Sequence, residues 1–535
     1  MGKTLLAVAT AAGALLATAP PVPAAPAAPV PAPYLAQGIE WKPCFETPPP
    51  ELPPGSERLE CGSFQAPRDW DRPDDGESVT IAVSRLAPAD GQAERGSLLT
   101  NPGGPGGPGR TLPLTFLGRQ KLLDSFEVVG IDPRGTGDST NISCGGATTI
   151  GADLDPRDRS QANVDKLLDS AEQIAAGCQR ENGDLGPLIT TEQTVRDLDL
   201  LRELLGREKV SWVGYSGGTW MGAYYATYFP HRVDKFVLDS NTDFTASWQD
   251  SFGWQPMGFE RRMVEDFQPW AAAHDGLYRL GSTSDQVRAT FEDLRAQVKR
   301  KPVDMPGVGV IDEIALDAAA GQAMYSKTQF EKLAAGLAYL KQPIENPQGA
   351  TAQTAGFAGL FQRADDAFDS TFFAITCNDT PWHGDREWLA EWSGELNDRY
   401  PLIGGGKIVE PCVFWNRPDV SMPTPTGNGV PPVLMVQSVH DAATPFEGAR
   451  QAHERFAGSR MLTVTGEGDH GVYAGGNACV DDVVESYLVD GVVPGADLTC
   501  EGLPIPEPPA AASTGAENPL LANERYGEAA GRLPV

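Results

Sequence analysis

Residues 210–230 read VSWVGYSGGTWMGAYYATYFP. Val210 to Val213 is a short apolar run of buried-strand type. From Met221 to Phe229 the chain is rich in Ala, Tyr and Met until Pro230 stops it, the pattern of a helix. Ser216 therefore falls on a strand-to-helix turn, between Gly214 and Gly218. A turn that sharp brings neighbouring backbone too close for side chains on either flank, which is why glycine is expected there. The arrangement G-x-S-x-G at such a turn presents a serine hydroxyl at the end of a sheet. The chain holds 59 glycines, so the five residues alone can arise by chance, and their surroundings have to decide.

Those surroundings alternate short apolar strands with helices. Strands are predicted at residues 77–86, 96–100, 126–131, 210–213, 236–238, 432–437 and 460–465. TTEQ at Thr190 to Gln193 forms a capping box ahead of Val195, Leu198, Leu201 and Leu205 at helical spacing, with Gly206 as the stop. This is the pattern of an α/β protein with a mostly parallel sheet between helices, in which function gathers at the C-terminal strand ends. Between about 241 and 373 the strand rhythm gives way to helical faces. Val287, Phe291, Leu294 and Val298 form one, and Phe330, Leu333, Leu337 and Leu340 another. The expected organisation is a core over 37–240 and 374–504, a mostly helical cap over 241–373, and a mobile, Pro/Ala-rich tail over 505–535.

A serine attacks only if a base removes its proton and a third group steadies that base. Among six histidines, His470 in GEGDHGV follows the predicted strand at 460–465, and Asp441 in QSVHDAATP follows the one before it. Ser216, Asp441 and His470 thus stand in the order Ser, Asp, His, each after its own strand. His440 is a rival base and Asp469 a rival carboxylate. Developing negative charge on the acyl oxygen needs backbone donors. One is expected from Gly217, and the other from Gly103 or Gly104 in NPGGPG after the strand at 96–100.

Lys plus Arg number 42 against 72 Asp plus Glu, a formal net charge of −30, which disfavours nucleic acid as a partner. Lys3, the apolar stretch Leu5 to Ala19 and small residues after it match an export signal. Cleavage is expected near Ala24 or Ala25, with residues 1–36 as signal and pro-segment. No membrane anchor is expected. The cysteines fall into four sequence-local couples without C-x-x-C spacing: Cys44 with Cys61, Cys144 with Cys178, Cys377 with Cys412, and Cys479 with Cys500. Disulfides in an oxidising compartment fit better than metal or redox chemistry, with buried free thiols as the other possibility. No metal and no cofactor are expected, and a monomer is favoured.

With these residues assembled, the chain resembles the α/β-hydrolase peptidases that include prolyl aminopeptidases, and most closely the secreted tripeptidyl aminopeptidases of actinomycetes. The resemblance rests on NPGGPGGPG, VVGIDPRGTGDS, TVRDLDLLRELLG, the serine turn with YFPHRVDKFVLDS behind it, PPVLMVQSVHDAATPFEGA and GDHGV. It implies an α/β-hydrolase core split by a helical cap, Ser216 as nucleophile, Asp441 as acid and His470 as base, and short peptides released from free N-termini. Two departures stand out. Pro102 occupies the place of the histidine in the His-Gly-Gly-Pro-Gly of prolyl aminopeptidases, which suits the tripeptidyl branch. Gly217 stands where that branch often has tyrosine, which is expected to leave more space beside the nucleophile. An exopeptidase also needs a carboxylate for the substrate ammonium. Glu260 and Asp379 are the leading candidates, with Glu265 and Asp266 beside them. The alternative is an esterase or lipase on the same fold, since a triad does not name its acyl donor.

Overall fold

The structure is a computed structural model that describes residues 30–88, 93–342, 354–361, 365–508 and 518–535. The expected export signal lies outside the described residues, apart from the end of the pro-segment. Ten strands form one sheet: β1 (Lys42–Pro43), β2 (Leu59–Pro67), β3 (Ser78–Leu86), β4 (Ser97–Asn101), β5 (Glu127–Ile131), β6 (Val210–Tyr215), β7 (Val233–Asp239), β10 (Leu434–Ser438), β11 (Arg460–Thr465) and β12 (Leu498–Glu501). Their order is β1-β2-β3-β5-β4-β6-β7-β10-β11-β12. The β1 to β3 meander joins β5 antiparallel, and every pairing from β5 to β12 is parallel.

The central strands β4, β5, β6 and β10 are buried along their whole length. Helices cover both faces, so these strands read as continuous apolar runs. Successive side chains still point to opposite sides. Leu99, Val129, Trp212, Leu238 and Met435 enter one core, under the helices Thr191–Leu204 and Gly217–Tyr228. Leu98, Val128, Val213, Val237 and Val436 enter the other, under the helix Ala478–Leu488. As the capping box predicts, Thr190 accepts from the Gln193 amide at the start of its helix.

Between β7 and β10 lies a third apolar cluster, built on the helices Ser284–Arg300, Glu313–Ala323 and Phe330–Lys341. This is the cap. It also holds a short hairpin, β8 (Val303–Met305) with β9 (Gly309–Ile311), which the helical reading did not include. The sheet itself resumes only at Leu434, because the helices Asp366–Asp379 and Arg386–Arg399 still precede β10. The four disulfides join the expected couples. No helix among the described residues is long and apolar enough to cross a membrane.

The expectation of a mobile tail fails over its last part. Pro519–Ala530 is a helix capped by Asn518, and Ala522, Tyr526 and Leu533 are buried in the second core beside Leu112 and Phe116. The apolar face of this helix outweighs the Pro/Ala-rich character of the sequence before it.

Candidate active site

Ser216 follows β6 with φ 53° and ψ −123°, a conformation that L-residues rarely adopt and that persists only where the surroundings enforce it. The two flanking glycines explain how. A Cβ on Gly214 would lie 2.3 Å from the Gly218 carbonyl oxygen, and one on Gly218 would lie 2.8 Å from the Asn101 carbonyl oxygen. Neither space admits a side chain, so the turn can close on the end of β4.

The end of β7 then ties the serine turn to the histidine loop. The Asp239 carbonyl accepts from Ser216 N–H (3.0 Å), while the Asp239 carboxylate accepts from the amides of Val472 (3.0 Å) and Tyr473 (2.7 Å). Next to it the Ser240 hydroxyl accepts from Gly471 N–H at 2.7 Å. Two adjacent residues therefore set the position of both loops. Asp239 is fully buried, and burial pushes its carboxyl up to about 7, although the two amides work against that rise.

His470 and Asp441 are together. Nδ1 of His470 lies 3.0 Å from both carboxylate oxygens of Asp441. Asp441 Oδ1 also accepts from the amides of Ala443 (3.0 Å) and Thr444 (2.9 Å), which fixes the buried carboxylate before the imidazole meets it. With Asp441 as an acceptor, Nδ1 is the donor, so in the neutral imidazole the other ring nitrogen carries the lone pair. Thr444 Oγ1 lies 3.3 Å from the same Nδ1. The cap reaches this residue too. His470 N–H donates to the Tyr325 carbonyl (2.9 Å), and the Tyr325 ring stands edge-on to the imidazole with centroids 5.5 Å apart.

The sequence rivals point elsewhere. His440 places Nδ1 2.9 Å from Asp266 and Nε2 3.4 Å from Glu265, on the cap. Asp469 accepts from Arg262 (2.7 Å), the Ser326 hydroxyl (2.9 Å) and the Lys327 amide (2.7 Å).

The loop after β4 lies against the serine turn. A Cβ on Gly103 would be 2.9 Å from Ser216 Cβ and 2.6 Å from Gly217 N. Gly103 N–H is already committed to Asn101 Oδ1 (2.9 Å). The amides of Gly104 and Gly217 have no partner among the described residues. The expected extra space beside Gly217 is absent, because its missing Cβ would sit 3.0 Å from Pro105 N and 3.1 Å from Gly104 C. The glycine lets the loop approach the helix start.

Of the carboxylates proposed for the substrate ammonium, Glu260 pairs with Arg288 (2.8 Å) and accepts the Leu402 amide. Asp379 is buried and accepts from the Thr191 amide (2.8 Å), the Thr191 hydroxyl (2.7 Å) and Trp248 Nε1 (3.2 Å). Burial lifts its carboxyl to about 6. Both serve the packing of the fold. Glu265 faces His440, and Asp266 lies between Arg262 and His440.

The family described as "TAP-like protein" matches residues 400–500, which include Asp441 and His470. Over 497 residues the chain is 33% identical to a tripeptidyl aminopeptidase of Streptomyces lividans, covering 88% of each protein. The chain belongs to the tripeptidyl aminopeptidase family. It is a serine peptidase of the α/β-hydrolase fold. Other relatives are the serine protease Hip1 of Mycobacterium tuberculosis, 29% identical over 88% of this chain and 92% of that one, and a carboxylesterase B of the same species, 29% identical over 88% and 91%.

Within this family member, the sequence reading missed the walls around the serine loop. Phe368 Cε2 lies 3.1 Å from where a Gly104 Cβ would be, and Phe372 and Phe252 continue the wall with centroids 5.6 Å apart. Lys407 Nζ sits 5.3 Å from the Phe252 ring centroid and 3.2 Å from Gln255 Oε1, while Gln255 donates to the Ala443 carbonyl beside Asp441. Near Lys407 is the half-buried Glu410, whose carboxyl is pushed up to about 7 by desolvation, with Lys407 and the Cys412 amide opposing the rise. No motif marks Glu410. Its place follows from the turn between Gly404 and Phe414, which has neither helical nor strand periodicity.

Proposed function

We propose that this family member is an exported exopeptidase that releases tripeptides from free N-termini through an acyl-enzyme on Ser216. His470 takes the Ser216 proton as the hydroxyl attacks the scissile carbonyl, and Asp441 stabilises the imidazolium that forms. The Gly104 and Gly217 amides receive the oxyanion, a choice favoured by the commitment of Gly103 N–H to Asn101. His470 returns the proton to the leaving amine, and a water then repeats the sequence to free the tripeptide. The observation that carries this reading is the junction at Asp239 and Ser240, which binds the serine turn and the histidine loop to one strand end. Export is supported by the signal-like N-terminal sequence and the four disulfides.

Glu410 takes the role first given to Glu260 and Asp379. Its carboxyl has Lys407 as a neighbouring cation and accepts from the Cys412 amide, and a substrate ammonium beside it would restore its charge. Ser216→Ala should lower turnover of a tripeptide anilide by about a million-fold while the fold persists. Activity within tenfold of wild type would overturn the assignment. N-acetylation of the same substrate should cost about 2 to 5 kcal/mol of transition-state binding, and Glu410→Gln should erase that preference. The carboxylesterase relative motivates a second reading, and faster turnover of a short-chain ester than of any peptide would establish it.

A further inference from the structure

The C-terminal segment from Asn518 onward contacts both halves of this machinery. Asn518 is almost completely buried, and its side-chain amide is fully used. Oδ1 accepts from the amides of Leu520 (3.0 Å) and Leu521 (3.2 Å), starting the last helix. Nδ2 donates to the carbonyls of His470 (2.7 Å) and Gly471 (3.1 Å). One turn later Asn523 accepts from the Thr111 hydroxyl (3.0 Å) and donates to the Pro108 carbonyl (3.3 Å). At the chain end Arg110 donates to the Pro534 carbonyl, and the Leu533 amide donates to Asp138 at 3.2 Å.

Pro108, Arg110 and Thr111 continue the same loop that carries Gly103 and Gly104. The segment is thus bonded at one end to the histidine loop and along its length to the oxyanion loop. Those loops follow β11 and β4, which are separated in the sheet by β6, β7 and β10. Ala522, Tyr526 and Leu533 bury the segment in the second core, so it is held rigidly. The chemistry at residue 518 is specific. Aspartate would keep the helix cap but has no donor for the two carbonyls, and alanine would lose both.

We propose that residues 518–535 form a clasp that fixes the spacing between the oxyanion loop and His470, with Asn518 as a positioning residue that acts through the His470 carbonyl. The inference rests on the reading of His470 as the base. Asn518→Asp separates capping, which is kept, from carbonyl donation, which is lost. Active sites would be counted by stoichiometric fluorophosphonate labelling, and kcat per labelled site measured on a tripeptide anilide across pH. The expected result is a fall in kcat per site of about 10- to 100-fold, the scale of small misplacements of catalytic groups, with KM little changed and the acid limb of the pH profile displaced. Asn523→Ala, which removes the bonds to Thr111 and Pro108 of the oxyanion loop, should lower kcat per site without displacing that limb. A purely structural segment would instead lower the number of labelled sites and the Tm while kcat per site stayed at the wild-type value, and that outcome overturns the proposal. If Asn518→Asp yields no folded protein, Asn523→Ala decides by the same criterion. A failure of the underlying reading is distinguishable, because wild type would then lack labelling at Ser216 or His470→Ala would turn over normally.

Discussion

Replacing Asp239 by asparagine tests whether the junction between the two loops is neutral when the enzyme works. The carboxyl is fully buried, and burial lifts it from 3.8 to about 7, with Asp441 adding to the rise and His470 and two amides opposing it. Between these values the folded chain keeps a proton that the unfolded chain has lost. Stability from this group is therefore fully present below about 3.8 and is lost as pH rises through about 7. Each pH unit is worth about 1.4 kcal/mol, so the whole window amounts to about 4 kcal/mol as an upper figure. Asp239→Asn substitutes an uncharged group whose oxygen can still accept from Val472 and Tyr473. The variant should match wild type near pH 4 and become progressively more stable than it towards pH 8. Urea unfolding of both proteins across that range measures the difference. A difference that stays flat with pH would show that Asp239 is charged throughout, and the cause assigned to its rise would be wrong.

Gly103→Ala puts a Cβ 2.4 Å from the Tyr215 carbonyl oxygen at a residue with φ 97°. Strain and overpacking together should cost about 2 to 5 kcal/mol, and displacement of the loop should slow labelling of Ser216 by at least about 100-fold. Asp469→Ala removes the acceptor for Arg262, Ser326 and Lys327. It should cost about 3 to 5 kcal/mol in urea unfolding while the folded fraction keeps kcat within tenfold. His440→Ala should keep most turnover, and an inactive His440→Ala beside an active His470→Ala would reassign the base. Opening the Cys377–Cys412 bridge by paired serine substitution frees a loop of 35 residues, worth about 4 kcal/mol of unfolding free energy.

How much of this was legible depended on whether a residue's role is local. Gly214, Ser216 and Gly218 declare themselves because a tight turn imposes its sterics on five adjacent positions. That Asp441 and His470 meet was readable from their places after successive strands of a parallel sheet. The junction at Asp239 was not, because its meaning lies in amides 233 and 234 residues away. Asp379 was misread for a related reason: its partner is Thr191, within the capping box that the sequence did reveal, and only folding brings the two together. In a chain with 72 acidic residues, place in the sequence does not separate a ligand carboxylate from a structural one. The last helix, by contrast, was within reach. Asn518, Pro519 and Gly531 are an N-cap, a first-turn proline and a C-terminal stop, signals outweighed in the reading by the Pro/Ala composition ahead of them.

The contacts around His470 also bear on how such an enzyme can measure peptide length. A cap that swings open for each substrate would have to leave the histidine loop. Here Arg262 of the cap binds Asp469, and Lys327 of the cap pairs with Glu467 and donates to the Leu503 carbonyl at 2.8 Å. Arg262, Asp469, Lys327 and Glu467 are all buried. Separating such pairs strands charge, at about 3 to 5 kcal/mol for each pair broken in place. The Tyr325 carbonyl would also release the His470 amide, disturbing the proposed base each time the cap moved. A cap tied directly to the histidine loop at Glu467, Asp469 and His470 is a fixed wall. On the exopeptidase reading proposed above, substrate reaches Ser216 past this fixed wall with no closing step required, and the wall limits how much peptide fits ahead of the cut.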